Sequence, residues 1–216
     1  PLPISIGLDE HSIRKPKYKA VDFATIVVDH KGRKVLDLID GKDIETLRAA
    51  FSDKKGKENV RKVTIDMSLV FRSFIKETFP NAMIVADRFH VQRLFSRKVN
   101  KYRKKVTGDD RKNPVRKLLL RNSKSLQLHE RSAVGKFLQA HLALREIYEA
   151  KEAMYRFFEI RGYKRARARL NHLLDRWGRS SLPALRSIRK TILQWKQEIL
   201  NFHHGRQSNG RVEGFN

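Results

Sequence analysis

Val60-Arg61-Lys62-Val63-Thr64-Ile65-Asp66-Met67-Ser68 decides how this chain is read. β-branched and apolar residues run up to a carboxylate, as in a buried strand that stops at Asp66. A helical pattern follows at once, from Ser68 to Phe79. Leu69, Val70, Phe71, Phe74, Ile75 and Phe79 are its apolar positions, Ser68 is placed to cap it, and Pro80-Asn81 ends it. A second apolar run, Ala82-Met83-Ile84-Val85-Ala86, stops at another carboxylate, Asp87. Strand, helix and strand in close succession predict a right-handed βαβ unit. In parallel sheets, functional groups gather at the carboxyl ends of the strands, and both acids fall there.

Toward the N-terminus the period changes to two. Ile4, Ile6 and Leu8 predict a half-buried strand that leads into Asp9. Lys15-Pro16-Lys17 breaks it, and Tyr18 to Val28 reads as the second strand. Asp29-His30-Lys31-Gly32 is a turn in which Gly32 supplies positive φ. Val35, Leu36, Leu38 and Ile39 form a third strand, so the first three make an antiparallel meander. A short helix over Ile44–Phe51 follows, with Asp43 as its N-cap.

Beyond Asp87 the pattern is helical. Val91, Leu94, Phe95, Val99, Tyr102 and Val106 mark an apolar stripe, and Arg93, Arg97, Lys101, Arg103, Lys104 and Lys105 lie mostly off it. Further helices are predicted over Val115–Arg121, Glu130–Phe158 (interrupted near His141) and Tyr163–Trp177. Leu185, Ile188, Ile192, Trp195, Ile199 and Phe202 repeat at three and four as one long seam. Trp177 and Trp195 sit at core spacing and read as packing residues. Val212 to Asn216 begins another element, and the two ends of the chain read as those of a piece of a longer protein.

The charge is extreme and uneven. Lys+Arg number 48 against 23 Asp+Glu, a formal net charge of +25. Residues 1–87 hold 16 basic against 13 acidic side chains, and residues 88–216 hold 32 against 10. A basic half joined to a near-neutral half predicts a polyanion-binding surface. The absence of cysteine excludes disulfides and zinc–thiolate sites and fits a reducing cytosol. No apolar run is long enough for a membrane-spanning helix, and the N-terminus does not read as a signal peptide. Asp9, Asp66 and Asp87, on successive core strands, offer the oxygen donors that hard divalent cations take. Two such ions about 4 Å apart can neutralise a scissile phosphate and activate its attacker. Against this stands the plainer reading that strand-end acids cap neighbouring helices or pair with Arg.

Gly7-Leu8-Asp9-Glu10, Ile65-Asp66-Met67-Ser68, Asp87-Arg88-Phe89-His90 and Ser208-Asn209-Gly210-Arg211-Val212-Glu213-Gly214 resemble the successive motifs of DDE transposases of the ISL-three insertion-sequence family. The resemblance runs over nearly the whole chain. It implies an α/β fold: a ribonuclease H-like mixed sheet, first strand central and fourth parallel to it, with a large basic all-helical insertion before the final catalytic helix. The implied organisation is a core over residues 1–90, the insertion over 91–205, and the start of the catalytic helix over 206–216. Asp9, Asp66 and Glu213 would be the metal ligands and catalytic residues, with Asp87 and His90 beside them. The implied cofactor is Mg2+ or Mn2+, as two ions. The implied partner is double-stranded DNA, at element ends and at the target, held by Arg93, Arg97, Lys101, Arg103, Lys104 and Lys105. A homodimer or higher assembly on DNA and a cytoplasmic, nucleoid-associated location go with that reading. The alternatives are a nuclease or resolvase of the same fold without strand transfer, and an inactive transposase-derived DNA-binding protein.

Overall fold

The structure, a computed structural model, describes residues 1–14, 21–108 and 114–206; of residues 12–14, 21 and 22 it describes the backbone alone. The chain divides into two compact units. One comprises Pro1–Val91 with the segment from Gln197 on, and the other comprises Gln92–Lys196. The first unit therefore takes in Gln197–Gly205, which the sequence reading grouped with the helical segment.

The first unit is built on a five-stranded sheet. Its strands are β1 (Ser5–Arg14), β2 (Val21–Asp29), β3 (Lys34–Asp40), β4 (Lys62–Ile65) and β5 (Met83–Ala86). Their order is β3-β2-β1-β4-β5. β1, β2 and β3 pair antiparallel, while β1–β4 and β4–β5 pair parallel. The central strand is thus β1, and the mixed order is the expected one. β4 and β5 are short and buried along Val63, Thr64, Ile65 and Val85, Ala86, as strands covered on both faces must be.

Two helices follow their sequence signals closely. Helix α1 (Ile44–Phe51) starts at Asp43, whose carboxylate accepts from Thr46 N at 2.9 Å. Helix α2 (Leu69–Thr78) starts at Ser68, whose hydroxyl accepts from Phe71 N. Phe51, Phe74 and Phe79 bring the two helices into one aromatic cluster, with centroids 5.2–5.9 Å apart and edges turned to faces.

Two expectations are corrected here. β1 runs to Arg14, up to the break expected at Lys15-Pro16-Lys17, so Asp9 lies within the strand and not at its end; it marks only where β4 stops pairing while β2 continues. In the β2–β3 turn the left-handed residue is Arg33, at φ 53°, and not Gly32. Gly32 leaves room for a side chain instead: a Cβ there would sit 2.3 Å from the Asp29 carboxylate, which folds back to accept from Lys31 N and would have to swing away.

The second unit is helical. It holds most of α3 (Arg88–Thr107), then α4 (Val115–Leu120), α5 (Leu128–Gln139), α6 (Leu142–Glu159), α7 (Tyr163–Gly178) and α8 (Pro183–Gln194). The interruption expected near His141 separates α5 from α6. Trp177 is 2% exposed and packs against Phe95 at 5.3 Å. On α3 the buried ridge is Val91, Phe95, Val99 and Arg103, a strict spacing of four, each at most 1% exposed. Tyr102 is half-buried, and Val106, expected on the buried stripe, is 43% exposed.

The seam from Leu185 to Phe202 is buried at all six positions, but it is not one helix. Trp195 leaves helical geometry at φ −111°, ψ 16°, and α9 (Lys196–Asn201) begins after it. The three-four spacing survives because the break keeps the indole on the buried side. α9 docks on the first unit's own elements. Asn201 Nδ2 donates to Ile84 O at 2.8 Å, Glu198 pairs with Arg72 at 2.6 Å, and Lys62 Nζ meets His204 O.

Candidate catalytic site

β1 and β4 run parallel with Leu8 opposite Ile65. The next residue on each strand is an acid, Asp9 and Asp66. Neighbouring strands lie about 4.8 Å apart, so the register alone places the two carboxylates at one end of the parallel sheet. β5 adds the third: Ile65 lies opposite Ala86, and Asp87 follows, its backbone N bonded to Ile65 O at 2.7 Å.

Each acid has a different environment. Asp9 is partly exposed, with 21% of its side chain reaching solvent. Asp66 is half-buried and accepts from Ser68 N at 3.1 Å, at the entrance to α2. Asp87 is 2% exposed, and its Oδ2 lies 3.3 Å from Nδ1 of His90, one helical turn on. The other ring nitrogen of His90 lies 3.9 Å from Asp9 Oδ1. His90 therefore sits between a buried acid and a partly exposed one.

The charges are unbalanced. Burial, first, and then the neighbouring Glu10 and Asp9 charges raise the Asp66 pKa from 3.8 to about 6, against the opposing pull of His90 and the Ser68 hydrogen bond. Burial works against protonation of His90, but the hydrogen bond to Asp87 and the charges of Asp9, Asp87 and Asp66 outweigh it, so its pKa is raised. Carboxylates from three strands with one imidazole among them supply the oxygen donors that hard cations take.

A transposase family model, DDE transposase ISL3, matches residues 6–216. The chain belongs to this family. It is also 28% identical, over 98% of its length, to the transposase for insertion sequence element IS1001 of Bordetella parapertussis. The chain spans about half, 54%, of the length of that curated relative.

In this family member, the positions expected in the core come together in the first unit: Asp9, Asp66, Asp87 and His90. Glu213 lies outside the described residues. Among the described residues, no group of three or more His, Asp or Glu side chains is arranged to hold a metal ion, so a metal centre built on Asp9 and Asp66 needs a further ligand. Of the basic residues on α3, Arg93, Arg97, Lys101, Lys104 and Lys105 are exposed. Arg103 is the correction: it is 1% exposed, and its guanidinium donates to Asn100 Oδ1 and Thr107 Oγ1, both at 3.2 Å. A side chain sequestered on its own helix does not face phosphates, and Arg103 leaves that set.

One further residue bears on the site. Alternation along β1 predicts that Glu10 turns away from Asp9, which leaves it off the expected ligand set, yet its charge acts on Asp66 more strongly than that of Asp9. Asp66 lies past the last β4 pair, where the pleat no longer fixes which side it faces. Glu10 is also tied to Lys42 at 3.2 Å. The signal was present as the adjacent pair Asp9-Glu10.

Proposed function

We propose that this chain is the catalytic part of a DDE transposase with a ribonuclease H-like core. It cleaves DNA phosphodiesters at the ends of an insertion sequence and transfers the freed 3′ ends into target DNA. The observation that carries this reading is the β1–β4 register, which sets Asp9 beside Asp66 under excess negative charge.

The donor set suits hard divalent cations such as Mg2+ or Mn2+. Asp9 and Asp66 supply carboxylate oxygens from paired strands, and a cation there would offset both the burial and the neighbouring charges that raise the Asp66 pKa. Glu213 completes the ligand set in this reading. Two bound ions would supply charge neutralisation at the scissile phosphate and a more acidic attacking water or 3′-hydroxyl. The protein's own contribution is placement. Ser68 N orients Asp66, and the buried Asp87 holds the ring of His90 toward Asp9. Arg93, Arg97, Lys101, Lys104 and Lys105 hold DNA phosphates, which positions the strand without reading its sequence. Double-stranded DNA is the partner, a homodimer or higher assembly forms on it, and the reaction takes place in the cytoplasm at the nucleoid. Among the described residues, no helix is long and apolar enough to cross a membrane.

The test is a plasmid carrying element ends, incubated with the protein, Mg2+ and target DNA. Target-joined products are expected from the parent, and neither nicks nor joints from Asp66→Asn. Nicks without joints from the parent would favour the nuclease reading. If Glu213→Gln joined DNA at the parent rate while Asp66→Asn did not, Asp87 would replace Glu213 as the third ligand.

A further inference from the structure

The basic residues of α7 were not singled out by their sequence, yet they form a regular charged surface on the second unit. Arg165, Arg169, His172, Arg176 and Arg179 follow one another at four, three, four and three, and all are exposed. The opposite spacing, Ala166, Leu170, Leu173, Leu174 and Trp177, is buried. The helix therefore shows one apolar side and one basic ridge, about 21 Å long at about 1.5 Å per residue. Arg176 pairs with Glu149 at 3.1 Å. Arg165, Arg169 and Arg179 meet no acid among the described residues.

The N-terminal half of the ridge works against its own helix. The first turn of α7 contains no acid and holds Lys164 and Arg165 at the end where the helix dipole is already positive. Arg165 and Arg169 are like charges at i,i+4, which also disfavours the helix. No side chain caps the N-terminus at Gly162. Each of these terms changes sign when a polyanion lies along the ridge.

We propose that the α7 ridge is a second track for DNA phosphates, separate from the exposed basic residues of α3. This deepens the DNA-transposing reading and rests on it. The chemistry favours duplex over single-stranded nucleic acid. Single strands are held by aromatic platforms on which bases stack. The aromatic residues of α7 are Trp177, which is buried, and Tyr163, which is half-buried before the ridge begins. A lipid surface fits poorly, because α7 exposes no large apolar side chain. What the ridge offers is a row of guanidinium groups, suited to bidentate contact with phosphate oxygens.

The experiment measures binding of a random-sequence duplex to the chain as salt is raised. Each phosphate contact contributes about 0.9 to the slope of log affinity against log salt. The triple variant Arg165→Gln/Arg169→Gln/Arg179→Gln is expected to lower the slope by about 2 to 3 and to weaken binding more than tenfold near 0.1 M salt. Its melting temperature should stay close to the parent's, because the repulsion relieved at Arg165 and Arg169 is offset by the favourable C-terminal charge lost at Arg179; the matching Arg→Lys triple should keep the parent slope. A Gln triple with the parent's slope would overturn the ridge. If Arg93→Gln/Arg97→Gln/Lys101→Gln then lost slope, the DNA reading would stand without the ridge. A parent chain with no salt-dependent duplex binding would overturn both.

Discussion

Each unit of this transposase buries ionisable side chains, and the two do so in opposite ways. In the helical unit, Lys151 is fully buried on α6 and pairs with Glu152 at 2.7 Å. Its ammonium also donates to Leu119 O and Arg121 O, at the carbonyl end of α4, and Glu152 accepts from both the backbone N and the hydroxyl of Ser123. Burial lowers the Lys151 pKa, and Glu152 opposes it. Here a charge pair anchors a loop, with partners on both sides. In the strand unit, Asp9, Asp66 and Asp87 act on one imidazole, and Glu10 adds its charge at Asp66. The first arrangement is what folding selects when a charge must be buried. The second leaves Asp66 ionised against burial first and then against the charges of Glu10 and Asp9, and perturbed groups of that kind gather at functional sites.

The largest effect should come from breaking the satisfied cluster. Lys151→Met leaves the Glu152 carboxylate buried without its cation and two carbonyls without their donor. Truncating one partner of such a pair costs about 3–5 kcal/mol. Chemical denaturation should show a loss of that size. A loss below about 1 kcal/mol would mean that the pair is solvated in solution and the contrast is false.

The opposite sign is expected at Asp66. Its folded pKa, near 6, stands above the ordinary 3.8, so the native state binds the proton more tightly than the unfolded chain does. Native stability therefore falls as pH rises from about 4 to 6, and the penalty is complete above that. Asp66→Asn should stabilise the protein at pH 7.5 by roughly 2–3 kcal/mol while abolishing DNA cleavage, and the gain should vanish toward pH 4. Mg2+ should raise the melting temperature of the parent at pH 7.5 and leave that of Asp66→Asn unmoved. A destabilised Asn variant at neutral pH would place Asp66 with the satisfied groups.

How much of this was legible depends on whether local pattern or tertiary context decides each residue. The βαβ unit, the meander, the caps at Asp43 and Ser68 and the strand-end position of Asp66 and Asp87 follow from short-range spacing, and the structure shows them. Arg103 could not be read because the buried ridge of α3 advances by four, and a strict step of four drifts around the helix onto a charged position. The break at Trp195 is invisible to periodicity, since both flanking helices keep the same buried side. Glu10 was lost to a rule of alternation that holds only while both strands are paired. Lys151 and Glu152 look like an ordinary solvated pair until α4 and the Ser123 turn close over them. Glu213 was placed by resemblance alone.

The smallest effect tests a neutral polar contact in the strand unit. β5 is an edge strand, and an edge strand presents carbonyls that no neighbouring strand can satisfy. Asn201 covers one of them: it is buried, donates to Ile84 O at 2.8 Å, and is itself oriented by Gln197, whose Nε2 donates to its side-chain oxygen at 2.8 Å. Asn201→Ala removes the donor and leaves the carbonyl facing a cavity large enough to admit solvent, so the expected cost is about 1 kcal/mol. Asn201→Leu fills the same space without a donor, keeps water out, and should cost more, about 2 kcal/mol. That order is diagnostic, because a contact that merely filled space would make Leu the milder change. If the order holds, the Ile84 carbonyl is satisfied by Asn201 and not merely packed by it. A neutral group on the edge strand is then matched by a partner, whereas Asp66 is burdened by burial and by the charges of Glu10 and Asp9.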